Sequence, residues 1–236
     1  MQKEYKVEVW SDQVEENDSD LCFKIILLGD TNVGKSCLSR RASKDTFEDI
    51  YTPTVGFEFF SFFIKLVDQK IKIQIWDTCG QEEYRSLIQS FYRNSSLAII
   101  VYSIDNKKSF TNTEIWINES KIKANPNLTF FLVGNKVDLE EKREVTKEMA
   151  NDLCQKHNIK LFMETSAKTG LNAKNIFIEA SKVLYEQHLK YKEILSRPLC
   201  HPSVDEGNQT KYLESLEISL NDNDDKVKKK KRKCCF

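Results

Sequence analysis

Four short stretches of this chain carry residues whose types and spacing could do chemistry. The first, Gly29-Asp30-Thr31-Asn32-Val33-Gly34-Lys35-Ser36, fits G-x-x-x-x-G-K-[ST]. An apolar run, Phe23 to Leu28, precedes it, and Cys37 to Arg41 can start a helix behind it. That strand–loop–helix setting is what a phosphate-binding loop needs. Its glycines let the backbone curl so that successive N–H groups, from Asn32 through Cys37, face a phosphate at the helix N-terminus. Lys35 would reach the β- and γ-phosphates, and the Ser36 hydroxyl would ligate Mg²⁺. The loop points to a nucleotide and leaves its base open.

The other three stretches each follow an apolar run. Asp77-Thr78-Cys79-Gly80-Gln81-Glu82 comes after Trp76. Its aspartate can hold the Mg²⁺ shell, through water, and the Gly80 N–H can face a γ-phosphate. Gly134-Asn135-Lys136-Val137-Asp138 comes after Val133. A carboxylate at Asp138 can accept from both N1 and the 2-amino group of guanine, donors that adenine does not offer. Glu164-Thr165-Ser166-Ala167-Lys168 comes after Met163, and its backbone could donate to the guanine O6.

The elements that must position these stretches are legible as alternation. Phe57–Val67 and Lys70–Trp76 read as a strand pair with a turn near Asp68-Gln69. Leu97–Ile104, Thr129–Val133 and Lys160–Met163 are short apolar runs suited to a sheet covered on both faces. Ser109–Lys123, Thr146–His157 and Ala173–Leu195 carry helical spacing between and after them. The expected fold is α/β: a doubly wound, mostly parallel sheet with helices on both faces and a flexible C-terminal tail. Its ligand site should lie at the carboxyl ends of the strands.

At 236 residues the chain has room for one α/β domain and tails. The expected division is a mobile, acidic extension over 1–21, the domain over 22–195, and a tail over 196–236. Net charge is zero, but residues 226–233 hold seven of the 36 basic residues and no acid. The remainder is therefore acidic, which argues against a nucleic-acid partner. The seven cysteines are scattered apart from Cys234-Cys235, with no C-x-x-C pair for zinc, and a reducing cytosol is the simple reading. Residues 1–20 have no apolar core for a signal peptide. Gln2 stands where myristoylation needs glycine, and no apolar run approaches transmembrane length.

D-x-x-G, N-K-x-D and S-A-K, in that order behind a phosphate loop, resemble the small GTPases of the Ras superfamily. Within it the chain resembles the Rab family. Thr54-Val55-Gly56-Phe57-Glu58-Phe59 is similar to its I-G-V-D-F stretch, and Trp76 to Glu82 to its W-D-T-A-G-Q-E. Phe91-Tyr92-Arg93-Asn94-Ser95 and the terminal cysteines match further signatures. Arf-, Ran-, Ras- and Rho-type patterns fit less well at the two termini.

The resemblance implies a GTP-hydrolysing switch in vesicle-mediated membrane traffic. GTP or GDP would be the bound nucleotide, with Mg²⁺ as cofactor. Phe47 would pack against the guanine. Tyr51 and Thr54 would belong to switch I, with Thr54 completing the metal shell beside Ser36 and Asp77. Gln81 would orient the attacking water. Phe59, Trp76 and Phe91 would form an exposed effector-binding surface, and Cys234 and Cys235 would carry prenyl groups. Implied partners are an exchange factor, a GTPase-activating protein, effectors, a prenylation escort protein and a lipid-masking GDP-dissociation inhibitor. The implied location is the cytoplasmic face of an internal membrane, with a cytosolic pool. Ile218-Ser219-Leu220 resembles the motif by which such tails dock to the escort protein. Cys79, Glu58 and Phe91 depart from the family's alanine, aspartate and tyrosine. Cys79 opens the alternative of a slowly hydrolysing, GTP-bound scaffold.

Overall fold

The computed structural model describes residues 5–10, 19–48, 54, 56–80 and 91–196. Among them run seven strands: β1 (Val7–Trp10), β2 (Leu21–Leu28), β3 (Phe57–Leu66), β4 (Gln69–Thr78), β5 (Leu97–Ser103), β6 (Thr129–Asn135) and β7 (Leu161–Glu164). They form one sheet in the order β1-β3-β4-β2-β5-β6-β7. β2 pairs in parallel with β4 and β5, and the parallel run continues through β6 to β7. The β1–β3 and β3–β4 pairs are antiparallel, so among the described strands β3 alone runs against the others. The helices are α1 (Lys35–Lys44), α2 (Lys107–Thr111), α3 (Thr113–Lys123), α4 (Lys147–His157) and α5 (Asn175–Ser196). The chain divides into two compact units, Met1–Leu189 and Lys190–Phe236, and the sheet lies in the first.

Period-two alternation explains why both faces of the sheet are covered. Along β2, Ile25 and Leu27 point into one apolar layer with Leu38 of α1 and Phe177, Ala180 and Leu184 of α5. Ile26 and Leu28 point the other way, into a layer with Trp116 and Ile117 of α3 and Leu153 of α4. All four β2 side chains are fully buried. Each such side chain contributes roughly 1.5–3 kcal/mol through burial. A central parallel strand therefore has to be apolar where it is covered on both faces, as residues 25–28 are; Lys24, in the half-buried first part of β2, is the exception.

Two details differ from the sequence expectation. The helix expected over Ser109–Lys123 is two helices that meet at Asn112. Asn106 caps the first, its side chain accepting from the Ser109 N–H at 2.9 Å. The larger correction concerns the N-terminal extension. Val7–Trp10 is a strand, in register from Val7↔Leu66 to Trp10↔Phe63. Without it, β3 would present a row of unpaired backbone groups at the sheet edge. Four residues in an acidic stretch carry too little pattern to be read as a strand; the open edge of β3 recruits them.

The parallel register brings the carboxyl ends of β2, β4, β5, β6 and β7 to one side of the sheet. Four of those ends lead into the four stretches singled out above.

Candidate nucleotide site

After Leu28 the chain turns through Gly29 to Gly34 and enters α1. Gly34 has φ +92°, and a Cβ there would lie 2.4 Å from Asn135 Nδ2. That amide donates to the Val33 carbonyl at 2.9 Å, so the residue at the end of β6 pins the loop from the side. Val33 itself turns its side chain into the core. Lys35 curls back over the loop, its Nζ donating to the Gly29 and Asp30 carbonyls at 2.9 and 2.7 Å. Burial pushes its pKa down, and the neighbouring Asp77 and Asp30 oppose that shift.

Asp30 is held from outside the loop. Its carboxylate accepts from Asn112 Nδ2 at 2.7 Å and from Trp116 Nε1 at 2.9 Å. The junction of α2 and α3 thus clamps the residue whose carbonyl receives Lys35. Gly80 approaches the same place: a Cβ on it would sit 2.3 Å from Asp30 C and Thr31 N. No side chain fits between β4's end and this loop.

Beside Lys35, three oxygen-bearing side chains converge. Ser36 Oγ lies 2.7 Å from Thr54 Oγ1 and donates to Asp77 Oδ2 at 2.5 Å. Asp77 is fully buried, and its Oδ1 has no hydrogen-bond partner. Burial pushes its pKa up to about 6, against the pull of Lys35. A buried carboxylate oxygen left bare is costly unless a cation or donor meets it. Two hydroxyls and a carboxylate are hard oxygen donors, so the set fits Mg²⁺.

At the other end, Asp138 and Lys136 enter from the loop after β6, Lys136 with φ +65°. Ser166 Oγ donates to Asp138 Oδ1 at 2.5 Å, and Thr165 Oγ1 donates to Asn135 Oδ1 at 3.0 Å. Ala167 and Lys168, with Phe47 facing them, complete a cavity of about 360 Å³. Its wall runs continuously from Asn32, Gly34, Ser36 and Cys37, past Thr54 and Gly80, to Asn135, Lys136 and Asp138. The glycine loop, the hard oxygen donors and the Asp138 carboxylate therefore share one cavity, in that spatial order.

The Ras family model matches residues 24–186. The chain belongs to the Ras family. It is a small GTPase, and proteins of this family bind GTP or GDP.

Next to the metal-donor set, this small GTPase carries an aromatic cluster. Trp76 contacts Phe59 at 5.6 Å between ring centroids, edge to face, and Phe91 at 5.2 Å. A fourth ring, Phe57, stacks on Trp76 at 5.4 Å and touches Phe91 at 4.6 Å. Phe57 and Phe59 are 47% and 43% exposed, an unusual state for phenylalanine. Sequence reasoning named three of these rings and missed Phe57. The alternation Phe57, Phe59 on β3, opposite Trp76 on β4, was the available signal. Lys24 lies 4.6 Å over the Trp76 ring, and burial pushes its pKa down to about 8.

Other residues were invisible to motif reading. Asp30, Asn112 and Trp116 are one group. Arg40 is another: its guanidinium donates to both Glu58 carboxylate oxygens, at 2.8 and 3.0 Å, bracing α1 against β3. Glu58, one of the departures from the family pattern, thus has a structural partner. Cys79 is buried, 2% exposed, with its N–H donating to the Gly56 carbonyl at 3.0 Å. Tyr51, Gln81, Cys234, Cys235 and the Ile218–Leu220 motif lie outside the described residues.

Proposed function

We propose that this small GTPase is a Rab-type switch regulating vesicle-mediated traffic from the cytoplasmic face of an internal membrane. The observation that carries the reading is the connection between the aromatic cluster and the metal donors. Phe57 pairs across the hairpin with Thr78, and Phe59 with Trp76, the residue immediately before Asp77. A partner docked on these rings therefore touches the strand that ends at the γ-phosphate side of the cavity. Nucleotide state and partner affinity are coupled through one hairpin.

In the cycle, Lys35 and the loop N–H groups hold the phosphates. Asp138 accepts from the guanine edge, and its geometry is kept by Ser166. Ser36 and Thr54, with Asp77 behind them, would hold Mg²⁺, which when bound neutralises charge on the β- and γ-phosphate oxygens. Thr54, 2.7 Å from Ser36 Oγ, would complete the metal shell while a γ-phosphate is present, and hydrolysis would release it and switch I. Gln81 orients the attacking water, and an activating protein supplies an arginine to the developing charge. An exchange factor reopens the cavity. Prenyl groups on Cys234 and Cys235, added with an escort protein, anchor the chain beside its basic run; two chains hold a membrane where one is marginal. A GDP-dissociation inhibitor would keep the cytosolic pool.

Single-turnover phosphate release from GTP-loaded protein, with and without a Rab-activating domain, tests the switch. Strong stimulation is expected, and Gln81→Leu should lose it by roughly a hundredfold or more. The second reading, a slow scaffold, rests on the buried Cys79 thiol beside Gly80. No stimulation in the wild type, with stimulation restored in Cys79→Ala, would favour it. Vesicle flotation tests the membrane reading: the doubly substituted Cys234→Ser, Cys235→Ser protein should stay in the soluble fraction. Retention at the wild-type level would overturn prenyl anchoring through this pair.

A further inference from the structure

Arg41, in the last turn of α1, is not part of any nucleotide-binding motif, yet its guanidinium is spent entirely on the base end of the cavity. Nε donates to the Ala167 carbonyl at 2.8 Å, and Nη2 to the Lys168 carbonyl at 2.9 Å. Nη1 donates to the Asp45 carbonyl at 2.9 Å, in the turn that leads to Phe47. The Phe47 ring centroid lies 6.0 Å from the guanidinium carbon. The side chain is only 19% exposed.

The direction of these bonds has a consequence for the groups that face the ligand. Peptide units are planar, and no cis peptide bond is present among the described residues, so each C=O points opposite to the N–H it shares a peptide with. Holding the Ala167 carbonyl towards α1 turns the Lys168 N–H the other way, and Ala167 and Lys168 both line the cavity. Holding the Lys168 carbonyl orients the Thr169 N–H, which donates to Ser166 Oγ at 3.1 Å. That hydroxyl in turn donates to Asp138 Oδ1 at 2.5 Å. One guanidinium thus turns a backbone donor away from α1, at the end of the cavity where a base's 6-position would lie. Through a relay of two hydrogen bonds it also sets the carboxylate that meets the 1- and 2-positions.

We infer that Arg41 is a positioning residue for base selection: it orients both recognition arms from behind, without touching the nucleotide. The inference rests on the base end holding guanine. A lysine cannot replace it, because one ammonium on a flexible stem does not span three carbonyls in the plane of a fork.

Competition of GDP, inosine diphosphate and ADP against a fluorescent GDP, in Mg²⁺, tests this on the full chain. Inosine diphosphate keeps the 6-oxo group and the N1–H and lacks only the 2-amino group, so the first step reads the Asp138 arm alone and the second, which changes positions 1 and 6 together, reads both arms. In Arg41→Ala and Arg41→Lys, the preference for GDP over inosine diphosphate and for inosine diphosphate over ADP should each fall. The product should drop about tenfold or more, the equivalent of one hydrogen bond's worth of discrimination. If Arg41 only supports the fold, all three nucleotides weaken by one factor, both preferences stay at wild-type values, and the inference is overturned. Should the alanine variant fail to fold, Arg41→Lys and Arg41→Gln carry the test, because both keep the aliphatic stem packed. A wild-type protein that takes ADP as well as GDP would overturn the guanine reading itself, a result distinct from intact preference in the variants.

Discussion

At the base end of the cavity the polar side chains are held by other parts of the chain. Asp138 accepts from Ser166, Asn135 donates to Val33 and accepts from Thr165, and Arg41 braces the loop carrying Ala167 and Lys168. At the phosphate end the backbone loop is also clamped, through Asp30 and Val33, but the charged groups are less completely paired. Asp77 is buried with one oxygen bare, its pKa is pushed up to about 6, and Lys35 is desolvated. Both ends are assembled by folding, but the phosphate end keeps one bare carboxylate oxygen and two desolvated charges that a cation and phosphates would satisfy further. On the proposed reading this division suits a switch: the base would anchor the ligand in both nucleotide states, and the end near the third phosphate would be the one whose energetics change.

The sharpest way to break the comparison is Asp138→Asn. Exchanging the acceptor that meets two guanine donors should weaken GDP binding by about 2 kcal/mol or more, roughly thirtyfold. Because the base end is already assembled, thermal stability without nucleotide should change little. A large loss of melting temperature would mean that this end is not preformed.

Asp77→Asn probes the other end. It should speed GDP release in Mg²⁺ by roughly tenfold to a hundredfold, the usual cost of losing an outer-shell partner of a metal site. The pH dependence has a definite sign. Between the ordinary carboxyl value and about 6, the folded chain binds a proton that the unfolded chain has released. In EDTA, this group's contribution to stability therefore falls as pH rises through that window. Mg²⁺ should remove much of the slope, and Asp77→Asn should flatten it without metal. Melting curves from pH 4 to 7, with and without Mg²⁺, check this. A slope of the same size in the variant would detach Asp77 from it.

Trp116→Phe tests the clamp on Asp30 while keeping most of the buried ring. Losing one hydrogen bond to a carboxylate should cost about 1.5–3 kcal/mol at most, and less where Asn112 still donates. The loss should appear in GTP and GDP off-rates alike, with base preference intact. A shift in base preference would mean that the two ends are not separable.

The smallest effect belongs to Arg40 and Glu58, a pair with side chains 32% and 35% exposed. A double-mutant cycle to alanine should give a coupling of about 0.2–1 kcal/mol. Its interest lies in where it acts, because Glu58 sits between Phe57 and Phe59. Effector binding should respond more than nucleotide affinity does.

Much of this protein was determined by residue type and local spacing. A glycine-bounded loop before Lys35-Ser36, between an apolar run and a helix, points to a phosphate, and a carboxylate at Asp138 can accept from the guanine edge. The two-faced burial of the sheet follows from β2 being apolar over residues 25–28, its fully buried half. The short apolar runs Leu97–Ile104 and Thr129–Val133 sit within a residue or two of their strands. Such features are legible because their physics acts within one element: a turn's dihedral angles, a strand's alternation, a helix's first N–H groups.

What only the tertiary structure decided lies between elements. The carboxylate of Asp30 is read by α3, more than eighty residues away in sequence. Arg41 reaches carbonyls of a loop that is farther still along the chain. Phe57 becomes a surface ring only because β4 places Trp76 beneath it, and Val7–Trp10 becomes a strand only because β3 leaves an edge. Side-chain bonds to backbone carbonyls leave no mark on sequence pattern, since every residue has a carbonyl. An edge strand gains its hydrogen bonds from a partner that local spacing does not reveal.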